Sequence, residues 1–282
     1  MEKIALITDT TADLSEEVIN KYGINVLSFR IIYSDKEYKD KVDITAEEVY
    51  RNFKFEIPTS SMPALQDMED LYDKLEREGY THAIAITLST GLSGIFNGLK
   101  LTAENHKNIK SFIYDSKSVS LGEGVLVEEC AKLIQEGKSF DEIVKEVPLI
   151  KKRIHMFFVV GTLEYLKKGG RIGKIAGTIG QFLNIKPIIG IDEEGCYYSY
   201  DKVRGRKQSL NRIYEIAKDI ISKGKCNVYI AHGDAEEEAH DLFKKVKMLP
   251  NVVNLYFGGC VTPVIGVHSG PGSLGIVLLE LE

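Results

Sequence analysis

Apolar and polar positions change period several times along the chain. Lys3–Thr8, His82–Thr87 and Ile109–Tyr114 are short, nearly continuous apolar runs, read as strands. Runs without in-and-out alternation belong to parallel strands covered on both faces. Helical periodicity fills the spaces between them. Asp13 with Glu16, Thr45 with Glu48 and Ser139 with Glu142 have capping-box spacing, and open helices at Ser15–Tyr22, after Thr45 and at Phe140–Arg153. Ile24–Tyr33 reads as one extended run. Pro58-Thr-Ser-Ser-Met-Pro63 reads as a loop, with Pro63 suited to the first turn of a helix over Ala64–Glu78. Helices at Ile95–Glu104 and Val119–Glu136 complete a βαβα order, which predicts a parallel sheet covered by helices.

A second pattern begins near Met156. Strand Met156–Val160 leads into helix Leu163–Lys168, stopped by Gly169-Gly170. Ile172–Leu183 reads as a helix of small residues, in which Gly177 and Gly180 favour close packing. Pro187–Asp192 and Cys196–Val203 flank Glu193-Glu194-Gly195, a hairpin signal. Two helix-strand pairs follow, Ser209–Lys223 with Asn227–Ala231 and Ala235–Lys247 with Val252–Phe257, and strand Leu274–Leu281 closes the chain. The expected fold class is α/β, in two domains. Residues 1–155 form an N-terminal parallel-sheet domain and residues 156–282 a C-terminal mixed α/β domain. No linker, repeat or low-complexity segment separates them.

Composition narrows the functional classes. A chain of 282 residues buries roughly three quarters of its unfolded surface. A net charge of −5 argues against a nucleic-acid footprint. No apolar run approaches the roughly 20 residues that span a bilayer, so stable membrane insertion is not expected. The N-terminus reads as a first strand rather than a signal peptide. Cys130, Cys196, Cys226 and Cys260 form no CxxC pair and read as reduced thiols, which places the chain in the cytoplasm. The histidines show no HxxxH or HExxH spacing, so no metal site is expected.

Two loops carry candidate chemistry. Ser89-Thr-Gly-Leu-Ser-Gly94 lies between a strand and a helix, where backbone N–H groups and hydroxyls meet a positive helix terminus. Thr59-Ser60-Ser61 stands at a second such junction. Taken as turns of one parallel sheet, the two loops mark a shared anion site, although each alone is also explained by helix capping. Gly270-Pro-Gly272-Ser-Leu-Gly275 spells a dinucleotide fingerprint but precedes a strand, so it reads as a turn, with His268 beside it. Lys167-Lys-Gly-Gly-Arg171-Ile-Gly-Lys174 and Arg204-Gly-Arg206-Lys207 are basic loops. They lack the phosphate-loop pattern and suit either solvent or an acidic partner. Gly91-Leu-Ser93-Gly94 falls one residue short of a nucleophile elbow, and a Ser93–His268–Asp9 triad is conceivable without being compelled by spacing. Asp9-Thr10-Thr11 and Asp115-Ser116 could chelate Mg²⁺ or simply cap.

Assembled in order, these segments resemble the DegV family of bacterial fatty-acid-binding proteins. The resemblance rests on Thr8-Asp9-Thr10-Thr11-Ala12, Pro58-Thr-Ser-Ser-Met-Pro63 and Ser89-Thr-Gly-Leu-Ser-Gly94 in the first half. The second half adds Leu163-Glu-Tyr-Leu-Lys-Lys-Gly-Gly-Arg171, Ile185-Lys-Pro187-Ile, Val203-Arg-Gly-Arg-Lys207 and His268 before Gly270-Pro-Gly272. The chain departs from the family's Thr-Ser-Gln-Pro run, with Ser60 for Thr and Met62 for Gln. The resemblance implies two α/β domains enclosing one long-chain fatty acid. Its carboxylate would fall on Ser60 and Ser93, with Thr59, Ser61 and His268 as supporting donors. It further implies a non-catalytic subunit that presents the acid, without other cofactor, to a separate ATP-dependent fatty acid kinase subunit for acyl-phosphate formation. Arg171 and Arg204 match positions on the kinase-docking surface. The residues alone leave open a serine esterase using Ser93, a phosphotransferase related to dihydroxyacetone kinases, and a small-anion sensor.

Overall fold

The computed structural model describes residues 2–178 and 184–281, without the side chain of residue 178. Strands β1 (Ile4–Asp9), β2 (Asn25–Leu27), β6 (His82–Thr87) and β7 (Lys110–Asp115) form a parallel sheet of order β2-β1-β6-β7. After their first residues, β1 and β6 are buried throughout, which accounts for their unbroken apolar runs. Helices α1 (Glu16–Tyr22), α3 (Leu65–Arg77) and α4 (Ile95–Asn105) lie in the connections that parallel pairing requires, and α5 (Leu121–Gln135) and α6 (Phe140–Lys152) lead from β7 out of this sheet. The capping boxes at Ser139–Glu142 and at Thr45–Glu48, ahead of α2 (Ala46–Asn52), both form. The one read at Asp13 does not. Ser15 caps α1, while Asp13 adopts a left-handed conformation and spends its carboxylate on Ser120 and on the backbone N–H of Thr262.

The extended run over Ile24–Tyr33 is divided. Asn25–Leu27 joins the parallel sheet, and the N–H of Phe29 then donates to Thr10 Oγ1 at 3.2 Å as the chain turns. Arg30–Ile32 becomes β3, the centre of a small antiparallel sheet with β4 (Glu37–Lys39) and β5 (Thr59–Ser61). A continuous apolar run carries no mark of which neighbours it pairs with, so the change of sheet was not visible. The loop expected at Pro58–Pro63 therefore holds a strand. Ser60 lies opposite Ile31 on an antiparallel ladder, not at a turn of the parallel sheet.

The second half forms a six-stranded mixed sheet of order β10-β9-β8-β13-β11-β12. Its strands are β8 (Ile154–Val159), β9 (Ile185–Ile191), β10 (Tyr197–Arg204), β11 (Cys226–Gly233), β12 (Val252–Cys260) and β13 (Ser273–Glu280). Only β11 and β12 pair in parallel. Helix α7 (Glu164–Lys168) follows β8. Helices α8 (Arg206–Ile221) and α9 (Glu236–Lys247) cover one face, where Ile213, Ile216, Leu242 and Val246 meet Val228, Ile230, Ile276 and Leu278. The other face meets α5. Leu6, Ile84 and Ile86 of the parallel sheet, Val125 and Leu126 of α5, and Tyr229, Ala231 and Val277 of the mixed sheet share one core. Residue 155 falls inside β8, and this core crosses it. The helix expected over Ile172–Leu183 is a 3-10 helix at Gly173–Thr178, and its remainder, Gly180 included, lies outside the described residues. No helix among the described residues is long and apolar enough to cross a membrane.

Candidate functional site

Helix α10 (Pro263–Ser269), which the sequence reading did not anticipate, brings the site together. Pro263 occupies its first turn, where a missing N–H costs nothing. Two carboxylates from the other half of the chain, Asp13 half-buried and Asp40 buried, hold its start. Asp13 Oδ1 accepts from Thr262 N at 2.7 Å and Asp40 Oδ1 from Val264 N at 3.0 Å. Anions at a helix N-terminus satisfy free N–H groups and oppose the helix dipole. Burial raises both carboxyls, Asp13 to about 6 and Asp40 to about 7.

At the other end of α10, His268 Nε2 lies 2.7 Å from Ser60 Oγ. Its Nδ1 is buried without a hydrogen-bond partner and is pressed against Gly169, whose missing Cβ would come within 2.1 Å of it. Burial, with the charge of Arg171 adding to it, lowers the His268 pKa to about 4, so the ring is neutral near pH 7. A proton on Nδ1 would be an orphaned buried donor, the rarer and costlier arrangement. The tautomer that fits carries it on Nε2 and donates to Ser60 Oγ, which leaves the Ser60 hydroxyl proton free to point elsewhere.

It has a cavity to point into. Three spaces follow one another inward from Ser60. An open vestibule of about 560 Å³ is lined by Phe53, Phe55, Thr59, Tyr165 and Lys168 and shares Ser60, Arg171 and His268 with a cavity of about 50 Å³. Thr11, Phe29, Leu88, Leu92, Leu166 and Val264 wall that cavity. Val119, Tyr197, Ile265 and Ser269 then border both it and an inner cavity of about 40 Å³, which ends on Met156, Phe158, Ala231, Leu274 and Gly275. The mouth is polar and the walls are mostly apolar.

The expected site residues distribute unevenly around this path. Ser60 and His268 meet at the mouth. Thr59 lines only the vestibule, and Ser61 is exposed, because strand alternation turns both away from the face of Ser60. Ser93 borders neither space. Its Oγ accepts from Ile95 N at 3.3 Å at the start of α4, while the adjacent Leu92 lines the cavity. Arg171, expected on an outer docking surface, borders both vestibule and cavity, with Nε donating to Leu92 O at 3.2 Å and an Nη to Gly169 O at 2.6 Å. Arg204 is exposed at the end of β10, away from the cavity lining.

The Ser93–His268–Asp9 triad is not assembled. His268 bonds Ser60, whereas Asp9 accepts from Thr11 N, Thr11 Oγ1 and Leu88 N. The Ser60–His268 pair has no carboxylate on Nδ1, and a ring titrating near 4 is a weak base at neutral pH. Gly270-Pro-Gly272 is a turn, with Gly270 at φ +70° ending α10. Among the described residues no cluster of three or more His, Cys, Asp or Glu has the arrangement of a metal site. Sequence reasoning missed Thr11, Tyr197 and Ile265 as wall residues. The Thr262-Pro263 pair was the available signal for α10, a cap followed by proline.

Fold and site together define an α/β protein in which small, mostly apolar cavities adjoin a neutral Ser–His pair and an arginine. The model of the DegV family matches residues 3–281, and the chain belongs to that family. It is 73% identical over 280 residues, 99% of this chain and 100% of the relative, to a DegV domain-containing protein of Clostridium acetobutylicum. The crystal structure of DegV, a fatty acid binding protein from Bacillus subtilis, superposes with a TM-score of 0.92 at 30% identity over 100% of both chains. A stearic acid-binding protein from Eubacterium ventriosum gives 0.88 at 26% identity, over 99% of this chain and 98% of its own.

Proposed function

We propose that this chain carries one long-chain fatty acid, with the carboxylate at the Ser60–His268 mouth and the acyl tail along the two cavities. The observation that carries the reading is the shared lining: Ser60, Arg171 and His268 border both the solvent-facing vestibule and the apolar interior. An amphiphile with one anionic end matches that gradient. Its carboxylate accepts from the Ser60 hydroxyl and sits in the field of Arg171, and Ser93, which caps α4 next to the wall residue Leu92, reaches it only if the loop of residues 88–94 shifts as ligand enters. Burying about 15 methylenes at ~0.8 kcal/mol each is worth on the order of 12 kcal/mol before association costs. Hydrogen bonds to the carboxylate are largely offset by its desolvation, so the tail sets affinity and the mouth sets direction. The cavities have room for a few water molecules each, so a tail widens them as it enters.

The chain itself catalyses nothing in this reading. It presents the carboxylate to an ATP-dependent fatty acid kinase subunit, which docks on basic residues including Arg171 and Arg204 and forms the acyl-phosphate. Arg204→Ala is the clean test of docking, because Arg171 also borders the cavity. That variant is expected to retain bound lipid and to slow phosphorylation by the kinase subunit. Full-rate phosphorylation removes Arg204 from the interface. Carriage itself is tested by mass spectrometry of the denatured protein and its organic extract beside a native spectrum. Stoichiometric fatty acid is expected. A protein that stays free of ligand after incubation with long-chain acids, or that a fluorophosphonate labels at serine, overturns the carrier reading.

A further inference from the structure

We propose that Gly275 marks the far end of the acyl path and limits the longest chain the protein accepts, an inference that rests on the fatty-acid reading above. Gly275 lies inside β13, an inner strand hydrogen-bonded on both sides, opposite Phe158 of β8 and Ala231 of β11. Glycine weakens a strand interior, where it adds backbone entropy and packs no side chain, and it calls for a reason.

The protein itself supplies none. The φ of Gly275 is not left-handed, and an added Cβ would find its nearest neighbours, Phe158 Cβ and the carbonyl oxygens of Ala231 and Phe157, at 3.8–3.9 Å. Alanine would fit at ordinary van der Waals distance. Gly190 in β9 is the contrast, because there a Cβ would meet the Tyr198 ring at 2.9 Å and the ring fills the space. Above Gly275 the space is the inner cavity. Leu274 and Ile276 on either side are 1% and 0% exposed, yet Gly275 between them retains accessible surface.

Position along the path makes this the end. The inner cavity shares no wall with the vestibule, meets the middle cavity at Val119, Tyr197, Ile265 and Ser269, and is divided at Val261 from a separate surface pocket of about 720 Å³. Phe158, Gly275 and Ala231 form one cross-strand row at its floor, large, absent and small. The terminal methyl of the tail lies in the notch that the glycine leaves, against bare backbone. A side chain there occupies the last methylene positions.

The test loads wild type, Gly275→Ala and Gly275→Val with an equimolar series of straight-chain acids from dodecanoic to eicosanoic, limiting in protein. Bound acids are read by native mass spectrometry and by chromatography of the extract. The Gly275→Ala distribution shifts to shorter chains with total occupancy and thermal stability retained. In Gly275→Val the bound ratio of octadecanoate to tetradecanoate falls about tenfold, as expected when roughly two methylenes lose their burial. Phe158→Leu opens the same floor and shifts the distribution to longer chains, which keeps the proposal testable where the valine variant fails to fold. A length distribution unchanged in both Gly275→Ala and Phe158→Leu, with wild type fully loaded, overturns the end-of-path assignment alone. A wild type that binds no acid of any length overturns the carrier reading on which it rests.

Discussion

Replacing Ser60 by alanine separates the head group from the tail. The Ser60 hydroxyl is the acceptor for His268 Nε2–H at 2.7 Å, and removal leaves a donor unpaired in a partly buried site. That costs about 1–3 kcal/mol of stability. With ligand bound, the same substitution also removes one hydrogen bond to a charged group, worth about 1.5–3 kcal/mol, or roughly 10- to 150-fold in affinity. The tail contacts are untouched. The assay is isothermal titration with hexadecanoic acid and, in parallel, with hexadecanol, which keeps the tail and lacks the anion. Ser60→Ala is expected to weaken the acid within that range while moving the alcohol by less than about threefold, and Ser60→Thr is expected to restore the acid. Equal losses for acid and alcohol would show that the variant damages the cavity rather than the mouth. No loss for the acid would place the carboxylate elsewhere and refute the orientation.

Three further outcomes follow from buried polar groups and one close approach. The His268 pKa lies near 4 in the fold against an ordinary value of 6.5, so the unfolded chain binds the proton first as pH falls. Its contribution is complete above about pH 6.5 and declines towards pH 4 by on the order of 3 kcal/mol, a slope that urea titrations of ligand-free His268→Gln should lack. Burial, with Asp9's negative charge adding to it, pushes the Glu123 carboxyl well above its ordinary range, which favours its protonated form; a proton held there donates to Thr11 Oγ1 at 3.0 Å while Thr11 donates to Asp9. Glu123→Gln keeps a donor there and is expected to cost under about 1 kcal/mol, whereas Glu123→Ala leaves a void and an unpaired hydroxyl at roughly 2–4 kcal/mol by chemical denaturation. Equal costs would mean that the buried pair holds no proton. Gly195, at φ +80° in the β9–β10 hairpin, would drive a Cβ to within 2.0 Å of Ser89 Oγ. Gly195→Ala is expected to lose about 2 kcal/mol or more in thermal unfolding and to displace the Ser89–Gly94 loop, visible as weaker fatty acid binding. Unchanged melting and affinity would show that the loop does not depend on the hairpin.

Elements defined by neighbours in the chain were legible. The apolar runs of β1, β6 and β7, the capping boxes at Thr45 and Ser139 and the turn at Glu193-Glu194-Gly195 all form, because each is a short-range preference satisfied within a few residues. The same spacing misled at Asp13, whose carboxylate is drawn into a contact with Thr262 across 249 positions of sequence. Helix α10 escaped notice because Val264-Ile-Gly-Val267 lies almost wholly in the interior and shows no polar face from which to read a period. Ser60 was expected as a binding residue from the family resemblance, but its strand and its partner were not visible. His268 stands 208 residues away, and nothing local to either residue marks the pairing.

The chain's residues by themselves determined the α/β class, the order of strands and helices, and the presence of hydroxyl-rich loops, since period, capping and turn chemistry are written within single segments. Motif order across both halves determined the family. Only the tertiary structure decided which hydroxyl meets His268, that Arg171 borders the cavity while Ser93 caps a helix beside it, and that small cavities adjoin one another between Ser60 and Gly275. The physical reason is that a cavity is a space left between elements distant in sequence. Its apolar walls have the composition of a packed core, so only the distances between those elements distinguish a place for a ligand from the interior that surrounds it.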